Sequence, residues 1–381
     1  MTLFLYTPSP LLGGTETLAM RVAGELRARA IDVTIVTSAH GWLDREASAI
    51  GLSVISVEEF AVRTPLRDDR VLSSAKYLQD ATLLTWGARA LFWLLHPLEF
   101  AWVRFPRIFG LYRYLDSRGC GRFFQWTKPR QFAGMRDDFD RLVRRRQLLS
   151  MSQDCSDFLG RFLDRHTALP LVSLPLSARE VAPVPTKPLP PCEGFAYFGR
   201  IEQFKTASIR RLIDDIAKTD LPRARKALVL FGYGADEVMV AEHAAQRGVR
   251  VEITGATTVA DVVARAKAQR LLAFAMGLSG LDLLLSGVPC VFVPVPSSLS
   301  DRAGNYAFLH QLPEGCVGSY PEFLDPESSM DFSQVVQVMR GPDLHESLRR
   351  DLERVSQQHS LTAIVDDLQS HLAAIEAPEL P

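Results

Sequence analysis

Two α/β domains, each a doubly wound parallel sheet, are what this sequence predicts, and three observations carry the prediction. Short apolar runs alternate with amphipathic helical stretches, the rhythm of βαβ units. The alternation stops at a proline-dense segment and then restarts. The chain also has 381 residues, more than one ordinary core absorbs.

The first elements follow in order. "LFLYT" is an apolar run suited to a buried parallel strand, and "PSPLLGG" is a loop. From Thr15 to about Arg29, Leu18, Val22 and Leu26 recur every four residues on one helical face, with Thr15 as the expected N-cap. "DVTIVTS" and "LSVISV" read as the second and third strands, "RALFWLLH" as a fourth ending at His96, and "QLLSMS" as a later one. Residues 168–194 hold seven prolines, which neither a helix nor a central strand tolerates, so this is the expected linker.

Beyond it, "GFAYFG", "ALVLFG", "VRVEITG", "RLLAFA" and "PCVFVPV" are strands with helices between them, "TASIRRLIDDIAK" among those helices. The stretch 331–377 is helical by pattern. The expected domains are 1–178 and 179–360, with a C-terminal helix at 361–381 completing the first. Ligands of open parallel sheets bind beyond the strands' carboxyl ends, so a ligand cleft between the two sheets is expected.

Composition excludes several classes. A net charge of −1 gives no global attraction to nucleic acid. Five cysteines are scattered without metal-ligand spacing, which points to thiols in a reducing compartment. The N-terminal apolar stretch lacks a basic leader and meets Pro8, and no apolar run reaches the length of a membrane span. A cytoplasmic protein able to touch the inner face of the plasma membrane is expected.

Three segments could carry chemistry. In "TPSPLLGGTET", Gly13 and Gly14 stand between a strand and a helix start, where glycine lets a ligand approach and the helix N-terminus favours an anion. The same pair could be only a tight turn. In "YFGRIEQFKT", Arg200 and Lys205 follow a strand, placed to hold a diphosphate as a fork and a point charge, unless they are merely solvated loop cations. In "MGLSGLDLLLSGVPC", a glycine loop leads into a short helix from Leu281 to Ser286, with Asp282 expected in its first turn. A carboxylate there suits a ribose diol, or is an ordinary helix acid.

These segments, with "FGYGADE" and "SGLDLLLSGVPCVFVP" in that order and spacing, resemble the GT-B glycosyltransferases, most closely nucleotide-sugar family 4. The resemblance spans both domains and is strongest over 195–295. It implies that Gly13 and Gly14 approach the donor phosphate, that Arg200 and Lys205 hold the diphosphate, and that Asp282 binds the ribose. The family's first glutamate, which contacts the donor sugar, maps onto Phe274. Backbone amides of the 276–280 loop, those of Gly277, Leu278 and Ser279, could do part of its work. His96 and Glu99 are the catalytic candidates, because the family often carries a histidine near this point and its pKa suits proton transfer.

The implied reaction moves a hexose from a nucleotide diphosphate sugar, a UDP-sugar favoured, to a glycan or lipid-linked acceptor of bacterial surface polysaccharide synthesis. Retention of configuration is favoured. Neither metal nor other cofactor is required, because fixed cations stabilise the leaving diphosphate. The alternatives are a nucleotide-sugar epimerase or hydrolase on the same fold, and a degenerate, non-catalytic subunit of an assembly complex.

Residues 101–146 add a further feature. Twelve Arg or Lys against four Asp give a local charge of +8, interleaved with aromatic residues. This mix suits anionic lipid headgroups, or single-stranded nucleic acid although no RNA-binding motif accompanies it, or is a solvated shell over core aromatics. Peripheral membrane contact through 101–146 is the expectation. "DFD" at 138–140 imitates a metal-binding pair of acids, but "RLVRRRQ" follows, so a helix with internal ion pairs is expected.

Overall fold

A computed structural model describes the chain except residues 1, 11, 12, 113, 167, 177–180, 202, 296–305, 319, 321, 326 and 376–381 and the side chains of 203 and 204. The chain divides into two compact units, residues 1–178 with 359–381, and residues 179–358.

Unit 1 contains strands β1 (Leu3–Tyr6), β2 (Val33–Thr37), β3 (Ser53–Ser56), β4 (Arg70–Ser74), β5 (Ala90–Leu94) and β6 (Leu148–Ser150). They lie in the order β3-β2-β1-β4-β5-β6, and every pairing is parallel. β1, β2 and β5 are buried along their whole length, as their unbroken apolar runs require. The helix Gly14–Ala28 buries Leu18, Val22 and Leu26. Each such side chain contributes about 1.5–3 kcal/mol.

The helix Leu361–Ala374 packs on this same helix. The Arg29 guanidinium donates to the Thr362 carbonyl at 2.8 Å and to the Gln369 side chain at 3.1 Å. Of the expected C-terminal helix, residues 376–381 lie outside the described residues.

Unit 2 contains β7 (Gly194–Phe198), β8 (Ala227–Phe231), β9 (Arg250–Ile253), β10 (Leu271–Ala275), β11 (Cys290–Phe292) and β12 (Ala307–Phe308). Their order is β12-β11-β10-β7-β8-β9, parallel except for the antiparallel edge pair β11–β12. In chain order this is the same winding as in unit 1. The helix Gln203–Lys218 presents Ile209, Leu212, Ile213 and Ile216, none of them exposed, to the core.

Several expectations are corrected. The run "RALFWLLH" is the fifth strand, because "RVLSS" forms β4. Two of its five residues are serines, yet Ser73 is accommodated by donating to the Tyr6 carbonyl at 3.2 Å. His96 does not end a strand; β5 stops at Leu94. The N-cap of the first helix is Gly13, in extended conformation and with no side-chain cap, not Thr15.

The proline-rich segment is not a bare tether. Leu171 bridges to Ser150 of β6, Trp93 donates to the Val172 carbonyl at 2.9 Å, and Leu174 and Leu176 are buried in unit 1. Farther on, Ala182 N–H donates to Leu285 and Cys192 N–H to Met339 within unit 2. The expected boundary at 178/179 falls on residues 177–180, outside the described residues. All five cysteines are buried and none is disulfide-bonded. No described helix is long and apolar enough to cross a membrane.

Candidate functional site

In each sheet the winding reverses between two neighbouring strands, β1 and β4 in unit 1 and β7 and β10 in unit 2. The crevice beyond the carboxyl ends of such a pair is where ligands of open α/β sheets bind.

In unit 2, Phe198 of β7 is in register with Ala275 of β10. Two residues farther along each strand stand Arg200 and Gly277, so the loops bearing them leave the sheet side by side. The Arg200 turn is rigid for a reason the sequence states only obliquely. Gly199 N–H donates to the Phe231 carbonyl at 3.1 Å, Ile201 N–H to Tyr233 at 2.9 Å, and Asp236 N–H to Ile201 at 3.1 Å. This zips "FGRI" to "FGYGAD" backbone to backbone. A β-carbon on Gly232 would stand 2.0 Å from the Gly199 carbonyl oxygen, and one on Gly234 would stand 2.3 Å from that of Ile201. Only glycine permits that approach. Gly199 and Gly232 also adopt φ of +152° and +159°. Lys205 lies in the first turn of the helix Gln203–Lys218, and beside it Thr206 donates to Asp236 at 2.6 Å.

The second loop is shorter than expected. The helix begins at Leu278, not Leu281, and Gly277 at φ +65° is its N-cap, without a side-chain cap. Gly277 N–H donates to the Val317 carbonyl at 2.6 Å. Leu278 and Ser279 are therefore first-turn residues whose amides point along the helix start, a local dipole that favours anions. Asp282 is consequently the fifth helical residue, half-buried in the second turn and not in the first. Phe274 is fully buried in β10, against Phe195, Tyr306 and Phe332. No carboxylate could occupy that position without loss of core.

In unit 1, Gly13 and Gly14 follow β1, and His96 and Glu99 follow β5; β4 lies between those strands. Gly14 is exposed, and a β-carbon on it would meet nothing within 4 Å. His96 is half-buried beside Phe109, and its Nδ1 accepts the Leu98 N–H at 3.0 Å. Its Nε2 is itself buried. Glu99 is 6% exposed; it accepts from Ser74 Oγ and, at 2.7 Å, from the Leu95 N–H. Burial raises its pKa, opposed by those two hydrogen bonds and by the charge of Lys76. This carboxylate ties Ser74, the last residue of β4, to Leu95 just past β5.

Three residues here were not singled out by sequence reasoning. Lys76, just past the end of β4, reaches Thr15 Oγ1 at 3.3 Å and lies 4.7 Å from the Tyr77 ring centre. It stands between the glycine turn and Glu99. Glu16, in the first turn of the helix Gly14–Ala28, is 3% exposed. Burial together with the charges of Glu16, Glu99 and Asp80 raises the Tyr77 phenol above its usual range. The missed signal was β4 itself: recognising "RVLSS" as a strand puts "AKY" at a strand's carboxyl end.

Among the described residues no cluster of His, Cys, Asp or Glu is arranged to hold a metal ion. The acids of "DFD" lie in the helix Pro129–Arg144, with Asp138 paired to Arg104 and Arg141, Asp140 paired to Arg165, and Phe139 buried.

No protein-family model and no curated protein matches this sequence. Solved structures do match its fold. HepE from Anabaena in complex with UDP-glucose aligns over 98% of this chain and 100% of its own, at 12% identity and a TM-score of 0.59. A glycosyltransferase from Rickettsia africae aligns over 98% of each chain, at 12% identity and a TM-score of 0.56. WaaG, a glycosyltransferase involved in lipopolysaccharide biosynthesis, aligns over 100% of each, at 11% identity and a TM-score of 0.51. The chain has the two-sheet α/β architecture of GT-B glycosyltransferases.

Proposed function

We propose that this protein is a glycosyltransferase that takes a sugar from a nucleotide diphosphate sugar, a UDP-sugar favoured, and passes it to a glycan or lipid-linked acceptor in surface polysaccharide synthesis. The observation that carries the reading is the pairing of Phe198 with Ala275, which sets the Arg200 turn beside the Gly277-capped helix. A guanidinium, the Lys205 ammonium and a helix N-terminus at one strand-end crevice suit a diphosphate, and Asp282 on the same helix suits a ribose diol.

As the glycosidic bond breaks, the diphosphate gains negative charge. Arg200, Lys205 and the amides of Leu278 and Ser279 stabilise that charge more than the intact donor, and this difference lowers the barrier. On the acceptor side, unit 1 supplies His96, with Glu99 tying the end of β4 to the residue after β5. Hexosyl transfer with retention follows the family resemblance, and the HepE structure in complex with UDP-glucose supports the choice of base. Residues 101–146 favour an acceptor borne on a lipid surface.

Phe274 favours a second reading. The position where family 4 carries a sugar-contacting glutamate is here core hydrocarbon, which suits a partner that binds nucleotide sugar without turning it over. Incubation with UDP-, GDP- and dTDP-sugars separates the two. Release of nucleoside diphosphate supports the transferase; thermal stabilisation without release, even with membrane extract as acceptor, supports the non-catalytic partner.

A further inference from the structure

At the opposite end of the unit 2 sheet, where the strands begin, lies a cavity of 580 Å³. The amino ends of β7, β8, β9 and β10 line it, together with the last turn of the helix Val259–Ala268. Arg200 and Gly277 stand past the carboxyl ends of β7 and β10, a strand's length away, roughly 15 Å. The cavity is therefore separate from the crevice that those two residues flank. Its floor is small and apolar, with Gly194, Ala227 and Val229 beside Leu271. A β-carbon on Gly194 would come within 3.0 Å of the Leu271 side chain, so the floor is tight where glycine stands. A gap of this size is no packing defect, since close-packed interiors leave few voids larger than a water molecule. It falls in the range of small-molecule sites.

The walls carry charge. Glu252 in β9 pairs with Arg265 at 2.5 Å, and Arg265 also lies 5.6 Å from the Phe231 ring centre. Glu193, just before β7, pairs with Arg270. Each acid lining the cavity is thus met by a cation. Arg225 and Arg250, both exposed, line it as well, so positive charge is in excess. Their backbones are fixed side by side. The Arg225 N–H donates to the Pro222 carbonyl at 2.7 Å, and the Arg250 N–H donates to the carbonyl of Lys226 at 3.0 Å. Lys226 itself is tied back to another element, its ammonium donating to the Ala217 carbonyl at 2.7 Å. Two guanidinia rooted on adjacent backbone and opening on one cavity repel each other until an anion lies between them. Gln269, the C-cap of the helix, adds an amide to the same wall.

We propose that this cavity is a second ligand site of unit 2 and that it takes a sugar phosphate. Arg225 and Arg250 hold the phosphate, because a guanidinium fork matches two phosphate oxygens. The sugar hydroxyls meet the carboxylates of Glu193 and Glu252, which keep lone pairs beyond those given to their arginines, and the Gln269 amide, which both donates and accepts. The apolar face of the sugar ring lies on Ala227 and Val229. Inorganic phosphate would use only the first of these three contacts, and a free sugar only the other two. The site does not rest on the proposed function, because neither Arg200, Lys205 nor the Gly277-capped helix lines it.

Calorimetric titration of glucose 6-phosphate into the full chain tests it, with glucose and inorganic phosphate as controls. The sugar phosphate should bind saturably, inorganic phosphate about tenfold more weakly or worse, and glucose not measurably. Arg225→Ala with Arg250→Ala should lose the interaction, each removed guanidinium weakening it about tenfold. Both arginines are exposed, so this variant should keep the wild-type Tm. Ala227→Leu fills the floor without changing the charge and should weaken binding too. A variant with Arg200→Ala and Lys205→Ala should bind the sugar phosphate as the wild type does. No heat from the sugar phosphate, equal affinity for inorganic phosphate, unchanged affinity in either cavity variant, or loss of binding in the Arg200, Lys205 variant would each overturn the proposal. UDP binding, measured on the same preparations, reports separately on the proposed function, and the cavity variants should leave it unchanged. A wild-type chain that binds the sugar phosphate but not UDP would count against the transferase and leave this site standing.

Discussion

A β-carbon on Gly232 would stand 2.0 Å from the carbonyl oxygen of Gly199, so the turn after β8 holds the turn after β7 by direct backbone contact. Gly232→Ala cannot be absorbed by a side-chain shift, because the obstacle is backbone. The expected result is a loss of about 1–3 kcal/mol of stability, seen as a lowered Tm. UDP affinity should fall with it, since the displaced turn carries Arg200. Wild-type Tm and unchanged UDP binding would show that the two turns are not mechanically coupled.

Gly14 is the opposite case. A β-carbon there meets nothing within 4 Å, and the residue is the first of its helix, where alanine is tolerated or favoured. Gly14→Ala should therefore keep or slightly raise Tm. If the glycine exists to let a donor phosphate approach, the variant loses transfer despite its intact fold. Unchanged turnover would reduce Gly13–Gly14 to a tight turn.

Restoring the family's missing acid should fail. Phe274 is fully buried among Phe195, Tyr306 and Phe332. Phe274→Glu removes that packing and buries a carboxyl without partners, a combination at the severe end of single substitutions. We expect a Tm drop of many degrees in thermal unfolding and no gain in sugar transfer. A folded, more active variant would mean that this side chain can turn out of the core.

Glu99 gives a pH signature. Burial raises its folded pKa above the ordinary 4.5. As pH rises, the unfolded chain ionises first, so the stability held by the neutral form is full below about 4.5 and declines as pH climbs through the raised folded value. Glu99→Gln keeps an acceptor for the Leu95 N–H and a polar partner for Ser74 but does not titrate. The Tm of the variant relative to wild type should therefore climb with pH across that window and then level off. Parallel Tm curves would show that Glu99 ionises as it does in the unfolded chain.

The fold was legible where physics leaves a period-two or period-3.6 trace. The buried strands β1, β2, β7, β8 and β10 are near-continuous apolar runs, and the helix Gln203–Lys218 carries its isoleucines on one face. β4 was missed because its serines are satisfied by the Tyr6 carbonyl of β1 and by the Glu99 carboxylate just past β5, partners a single sequence does not display. With it went Lys76 and the surroundings of Glu99. Thr15 failed as N-cap because a glycine pair allows the helix to start two residues earlier on extended backbone alone. Asp282 moved to the second turn for the matching reason: "GLSG" reads as loop, yet Gly280 is helical, packed so closely that a β-carbon would stand 2.7 Å from the Phe292 ring. Among the aromatics of 101–146, composition could not tell core from surface; the helix phase does, by turning Phe124 inward and Trp126 outward.

The most direct test of the central claim is calorimetric titration of UDP-glucose into the wild-type chain and into an Arg200→Ala, Lys205→Ala variant. Each lost charged contact is expected to weaken binding by about 1.5–3 kcal/mol, roughly tenfold or more per residue. The account predicts saturable binding by the wild type and none measurable by the double variant at the same concentrations. Equal heats from both, with the same affinity, would contradict it.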